Sequence, residues 1–164
     1  CHEHRMKKEQ PRAQALAIRR APSAVAPGPD GTKPFSYPRL VQPILDKHCV
    51  TCHDGREPKR PVLTGAPDGW ASKSFNALIN YVAFSGWGRP NDNYEPLTQP
   101  LCFGALASPL AKMLEKGHNK VTLSPEEWQR LNLWMDANGA FYGTFDAGEQ
   151  KKQLAGEIIA VPKE

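Results

Sequence analysis

The feature that most constrains this chain is the pentapeptide Cys49-Val50-Thr51-Cys52-His53. Two cysteines at this spacing lie about one helical turn apart, so both sulfurs can meet the same edge of a flat ring. The histidine that follows is placed to bind a metal at the ring's centre. This is the C-x-x-C-H pattern of haem attachment. We therefore expect one haem c, with Cys49 and Cys52 as its thioether positions and His53 as the proximal iron ligand.

Three other uses of these residues compete with haem attachment. A zinc site would need His48, Cys49, Cys52 and His53, but four ligands within six residues strain a tetrahedral shell. A thioredoxin-like dithiol would need alternating strands and helices, which the sequence does not indicate. A disulfide between Cys49 and Cys52 would close too short a loop to gain much stability. The motif therefore favours haem over these alternatives.

Apolar residues at helical spacing predict a mainly α fold. The expected class is a cytochrome c-like domain of about four short helices around a covalently bound haem, with long coil segments that suit the 16 prolines and 13 glycines. Two helices are expected first: residues 37–48, interrupted at Pro43 so that a shorter helix runs into Cys49, and residues 75–83 after a cap at Ser72 or Ser74. A third helix begins at Ser108 and stops at Gly117, with Leu106, Leu110, Met113 and Leu114 on one face. The fourth begins at Ser124 with Pro125 and a Glu127 capping box, and it ends at Asn138-Gly139. Coil is expected between about residues 84 and 105.

The composition divides the chain into three parts. Residues 1–36 are basic and then rich in Ala and Pro, which predicts an extended linker or arm, and residues 37–146 form the haem domain. Residues 147–164 read as a charged C-terminal tail. No stretch approaches the roughly 20 apolar residues that cross a bilayer, so we expect no transmembrane segment. The net charge of +4 is mild and predicts no nucleic-acid partner.

An electron carrier with low-spin iron needs a second axial ligand. His118 follows Gly117 directly and lies far enough beyond His53 to cross the ring. Met113 and Met135 occupy apolar stripes of their helices, where methionine usually packs in a core. We favour His118 as the distal ligand, with Met113, Met135 or an open site as the alternatives. His48 precedes the motif too closely to swing over the ring and is interpreted as a packed imidazole.

Several segments together resemble a known family. They are Val41–Cys49 leading into Cys49–Gly55, then Gly117-His118 and Leu123–Trp128, and lastly Trp134–Thr144. These segments resemble the C-terminal cytochrome domain of large bacterial multi-domain proteins similar to the hydrazine synthase alpha subunit. The resemblance runs from about Phe35 to Phe145. It implies a bis-histidine electron-transfer haem with His53 proximal and His118 distal, and it leaves the reaction chemistry to another haem in a preceding domain.

The resemblance also bears on the first two residues. Family members carry another haem just before the linker, so Cys1-His2 would be the end of a second attachment motif. Cys1 would then form a thioether and His2 would bind the second iron. A lipid-anchored terminus and a fragment edge are the alternatives for Cys1. The family has a tyrosine shortly after this histidine, whereas Glu3 to Met6 follow here, and this departure weakens the case for hydrazine-forming chemistry.

These features predict a function, a setting and partners. We expect electron transfer by haem c, in a module of a larger multi-haem protein or complex, with no catalysis by this domain itself. The alternative is a catalytic or gas-binding haem domain with an open or displaceable iron site. The expected partner is a redox protein or an adjacent haem domain, and an oligomer is compatible with the sequence. Covalent haem attachment outside the reducing cytoplasm predicts a periplasmic or equivalent compartment.

Two further expectations concern residues outside the motif. Cys102 is interpreted as a buried free thiol, with proximity to the haem edge as the alternative. The four tryptophans, Trp70, Trp87, Trp128 and Trp134, are expected to wall the haem pocket.

Overall fold

The computed structural model describes residues 16–83 and 100–160, and most of its regular structure is helical. The expected mainly α class is therefore confirmed. The segment 84–99, in which most of the expected coil falls, lies outside the described residues. None of the helices in the described ranges is both long and apolar enough to cross a bilayer.

The described residues form seven α-helices and one small hairpin. The helices are α1 (Tyr37–Leu40), α2 (Gln42–His48), α3 (Lys73–Leu78), α4 (Gly104–Ala107), α5 (Pro109–Glu115), α6 (Pro125–Asp136) and α7 (Ala147–Leu154). Strands β1 (Pro67–Asp68) and β2 (Ala71–Ser72) are antiparallel and pair Pro67 with Ser72. Short 3-10 turns occur at Leu16–Arg19, Ile79–Tyr81 and His118–Lys120.

Helix α2 runs into the Cys49–His53 motif, as its sequence predicts. Pro43 occupies the first turn of α2, where a missing N–H costs no helical hydrogen bond. Because proline cannot donate in the middle of a longer helix, α1 and α2 are separate. The buried Ile44 and Leu45 keep α2 against the core.

The expected caps of α3 and α6 are confirmed. The backbone N–H of Phe75 donates to the Ser72 hydroxyl at 3.3 Å, which settles the choice between Ser72 and Ser74. The capping box of α6 is complete: the Glu127 N–H donates to Ser124 Oγ at 3.2 Å, and the Ser124 N–H donates to Glu127 Oε2 at 2.8 Å. Asn138 and Gly139 both have positive φ just after α6 ends.

The expected helix around Ser108 is two helices, α4 and α5. Pro109 disfavours a helical backbone at the residue before it, and Ser108 is extended with ψ of 128°. The placement of Leu106 on one face with Leu110 was therefore wrong, since Leu106 lies in α4 and is 64% exposed. Gly117 does end the α5 region, in a left-handed conformation with φ of 84°.

The segment interpreted as a charged tail contains a docked helix, α7. Asp146 caps it by accepting from the Glu149 N–H at 2.8 Å. Gln153 is only 1% exposed, donates to the Phe35 carbonyl at 2.8 Å and accepts from the Gly143 N–H at 3.2 Å. Residues 147–154 therefore pack onto the domain rather than trailing from it.

The core contains an aromatic cluster beside the point where residues 35–37 meet residues 141–143. Tyr37, fully buried, has its ring centroid 5.3 Å from those of Phe75 and Phe141 and 5.1 Å from that of Trp134. The Tyr37 N–H donates to the Phe141 carbonyl at 3.1 Å, and Ser36 forms a bridge with Tyr142. A Cβ at Gly143 would lie 2.2 Å from the Phe35 nitrogen, so only glycine fits where these backbones meet.

Candidate functional site

The Cys49–His53 motif forms a tight turn that extends α2. The Cys49 N–H donates to the Leu45 carbonyl at 2.8 Å, and the His53 N–H donates to the Cys49 carbonyl at 3.0 Å. Both cysteines and His53 line one cleft. The turn thus brings the motif's three chemically active residues to the same surface, as their spacing predicts.

The cleft is apolar and larger than a single ion requires. Its cavity volume is about 240 Å³, several times the roughly 30 Å³ of one water molecule, and it opens to solvent. Its apolar walls are Ile44, Leu45, Pro61, Leu63, Leu78, Leu110, Met113, Leu114, Val121, Leu123 and Leu131. Its polar residues are His48, Cys49, Cys52, His53, Tyr81, His118 and Asn119.

His53 is held by the segment that follows the motif. Its Nδ1 lies 3.0 Å from the Pro61 carbonyl oxygen. Because a carbonyl only accepts, Nδ1 carries the proton and Nε2 keeps its lone pair. The Leu63 N–H also donates to the His53 carbonyl at 2.8 Å. This is the arrangement of metal-binding histidines, whose other ring nitrogen is fixed by a carbonyl or carboxylate.

His118 is brought beside His53 although 64 residues separate them in the chain. Their ring centroids are 6.1 Å apart and the ring planes are inclined by 38°. An imidazole nitrogen binds a metal at about 2 Å. Two imidazoles on opposite sides of one metal have centroids about 6 Å apart, so the observed centroid separation leaves room for a metal between the two rings.

The thiols are suited to a neutral linkage. Cys49 and Cys52 are free in the structure, which contains no disulfide between them. Burial raises the pKa of the Cys49 thiol to about 11. A thiolate ligand for zinc or a reactive dithiol would need the opposite shift. A thioether carries no charge, so burying it avoids the desolvation cost that a buried thiolate would have. Among the described residues, no three His, Cys, Asp or Glu side chains are grouped to hold a metal ion.

The alternative ligands occupy different surroundings. Met113 lines the cleft and is 36% exposed, whereas Met135 is fully buried in the core and does not line the cleft. His48 is packed as expected, with Nε2 3.0 Å from Glu127 Oε1. Glu127 also accepts from Lys47 at 2.8 Å, and this bond is the main cause that lowers the pKa of the carboxyl to about 2. His48 is therefore engaged with α6.

Two expectations about the surroundings of the site were wrong. None of the described tryptophans lines the cleft: Trp134 is buried in the aromatic core, Trp70 is 63% exposed, and Trp128 packs against the core. Aliphatic side chains form the walls instead. Cys102 is exposed rather than buried. Trp87 lies outside the described residues.

Two residues of the cleft were missed by sequence reasoning. Pro61 acts through its backbone carbonyl, for which the side chain gives no signal. The amide nitrogen of Asn119 lies 3.2 Å from Nε2 of His118. An asparagine two residues after a helix-ending glycine is typical of a left-handed turn, and that pattern could have pointed to it.

The proposed second haem residues, Cys1 and His2, lie outside the described residues. Comparison of the chain with family models, curated proteins and solved structures found no match.

Proposed function

We propose that residues 37–146 are a c-type cytochrome domain that transfers electrons through one haem c. The haem would be joined to Cys49 and Cys52, with His53 and His118 as its axial ligands. The observation that carries the proposal is the imidazole pair, whose 6.1 Å centroid separation suits one intervening iron, in the same cleft as both thiols. When bound, the haem supplies a reversible one-electron iron couple.

The residues of the chain have distinct parts in this function. The aliphatic walls exclude water from the cleft and cover an apolar macrocycle. Pro61 holds the proton of His53 on Nδ1 and so directs Nε2 to a metal. His118 would supply a second strong-field ligand, and a low-spin iron would limit structural change on electron transfer.

The wider setting is part of the same proposal. The domain would serve a larger multi-haem protein like the hydrazine synthase-like family of the resemblance, in a periplasmic or equivalent compartment. Its partner would be a redox protein or an adjacent haem domain, including one on Cys1 and His2. A gas-binding or catalytic domain is the second candidate, favoured by one observation: Nε2 of His118 is hydrogen-bonded to Asn119.

Haem attachment is tested on protein matured in a host that attaches haem c. For the Cys49–His53 motif we expect an intact mass of the polypeptide plus one haem, and a pyridine haemochrome spectrum of the c type. The Cys49→Ala/Cys52→Ala double variant should lose covalent haem completely. A colourless wild-type protein with the mass of bare polypeptide contradicts the proposal.

Ligation is tested on the same material by optical and paramagnetic resonance spectra. Wild-type protein should be low-spin, and His118→Ala should become high-spin. Met113→Ala is the matched control, because Met113 lines the same cleft and is the rival ligand, and it should stay low-spin. A low-spin His118→Ala variant would show that another residue is the distal ligand.

A further inference from the structure

The imidazole of His118 is bound by its neighbour in sequence. The amide nitrogen of Asn119 lies 3.2 Å from Nε2, and an amide nitrogen can only donate. Nε2 therefore accepts this bond with its lone pair. The same lone pair is the one that a metal would use, because a protonated ring nitrogen cannot bind a metal.

The turn that carries this bond has an unusual backbone. Gly117, Asn119 and Lys120 have φ of 84°, 46° and 62°. Glycine and asparagine tolerate this left-handed region, but lysine does not favour it. Such a conformation persists only where surrounding contacts determine it, and it concentrates at ligand sites and switch regions. Here it places Asn119 in the wall of the cleft beside His118.

We propose that Asn119 is a positioning residue that competes with iron for Nε2 of His118, so that the distal ligand of the haem exchanges between a bound and a released state. This inference rests on the proposed haem function. In the released state the imidazole stays at the cleft in the hydrogen bond to Asn119. In the bound state that bond is broken and Nε2 faces the iron.

The two histidines differ in the ring nitrogen that the protein uses. Pro61 binds Nδ1 of His53 and leaves Nε2 free, so this bond supports metal binding. Asn119 binds Nε2 of His118, so this bond opposes it. The chain therefore strengthens one axial ligand and weakens the other, and an external ligand such as cyanide should enter on the side of His118.

The test is a cyanide titration of the ferric haem protein, followed by its Soret absorption. Asn119→Gly removes the competing amide, so the released state loses its partner and cyanide should bind about twofold to tenfold more weakly than in wild type. Lys120→Gly is the matched control. It relaxes a left-handed residue in the same turn without touching the bond to His118, and it should bind cyanide as wild type does.

The outcomes separate this inference from the function on which it rests. A wild-type protein without a low-spin haem overturns both. A low-spin wild type in which Asn119→Gly binds cyanide as tightly as wild type, or in which Lys120→Gly shifts binding equally, overturns the role of Asn119 alone. Asn119→Ala, which also lacks the amide, gives the same comparison if the glycine variant folds poorly.

Discussion

The two sides of the cleft are held in different ways. His53 is fixed by the Pro61 carbonyl, eight residues away, and by the Leu63 backbone, while the carbonyl of Leu63 accepts from buried Gln42 of α2. His118 is bound by the next residue in a short turn. The side of His53 is therefore built into the fold, whereas the side of His118 depends on local contacts. A fixed and an adjustable imidazole thus share one cleft.

The walls of the cleft should show the largest contrast in stability. Leu131 of α6 is 1% exposed, and Leu131→Ala should lower the free energy of unfolding by about 2–5 kcal/mol through lost burial and a cavity. Met113 of α5 is 36% exposed, and Met113→Ala should cost less than about 1 kcal/mol. Urea unfolding measures both. Equal losses would show that the α5 wall is as firmly packed as the α6 wall.

A second prediction concerns the network behind His53. Gln42 donates to the Leu63 carbonyl at 3.1 Å and accepts from the Ser74 hydroxyl at 2.6 Å. Gln42→Leu keeps the volume but leaves the buried Leu63 carbonyl without this donor, whereas the Ser74 hydroxyl keeps its contacts with Tyr37 and Ser72, so it should cost about 1–3 kcal/mol in urea unfolding. Gln129→Leu, at an exposed position of α6, is the control and should change little. A neutral Gln42→Leu would mean that the side of His53 does not depend on this network.

The smallest expected effect concerns the contacts of Lys47 and His48 in α2 with Glu127 in α6. The hydrogen bond from Lys47 is the main reason that the pKa of Glu127 falls from its ordinary value of 4.5 to about 2. This carboxylate therefore stabilises the fold above about pH 4.5, and the contribution is lost as the pH falls towards 2. Glu127→Gln should cost about 1 kcal/mol or less at pH 7, because glutamine can keep the capping box but loses the charge that pairs with Lys47.

The pH dependence of that cost is the sharper measurement. In urea unfolding at several pH values, the difference between wild type and Glu127→Gln should shrink steadily below pH 4.5, the ordinary value. Glu126→Gln is the matched control, because Glu126 is the neighbouring residue and its side chain is 66% exposed, so its ion pair with Arg130 contributes little. A difference that stays constant down to pH 2 would exclude the carboxylate as its source.

The local parts of this fold could be predicted from sequence because single residues determine them. Ser124 with Glu127 starts α6, Pro43 separates α1 from α2, and the Cys49–His53 spacing places both thiols on one cleft. Each rests on backbone donors or on helical periodicity. The position of His118 near His53 could also be predicted locally. Gly117 ends the α5 region, so the histidine that follows it lies in a turn beside the cleft.

The parts that could not be predicted depend on contacts between distant segments. Helix α7 docks through Gln153, a polar residue whose burial has no periodic signal. The His53 ring is fixed by the backbone carbonyl of Pro61, and any amino acid at position 61 would have such a carbonyl. Trp134 and Trp70 lie away from the cleft because they pack against Tyr37 and Phe75 of the aromatic cluster. Aliphatic side chains line the cleft instead.

The junction of Ser36 with Tyr142 has a mechanical consequence. Phe35 and Gly143 touch, and Gln153 of α7 is hydrogen-bonded to the backbone of both. A pull on the segments beyond this junction would load α7 and the Ser36–Tyr142 bridge before it reached the cleft. The chain on either side of the junction could thus move while the distance between the two imidazoles stays the same.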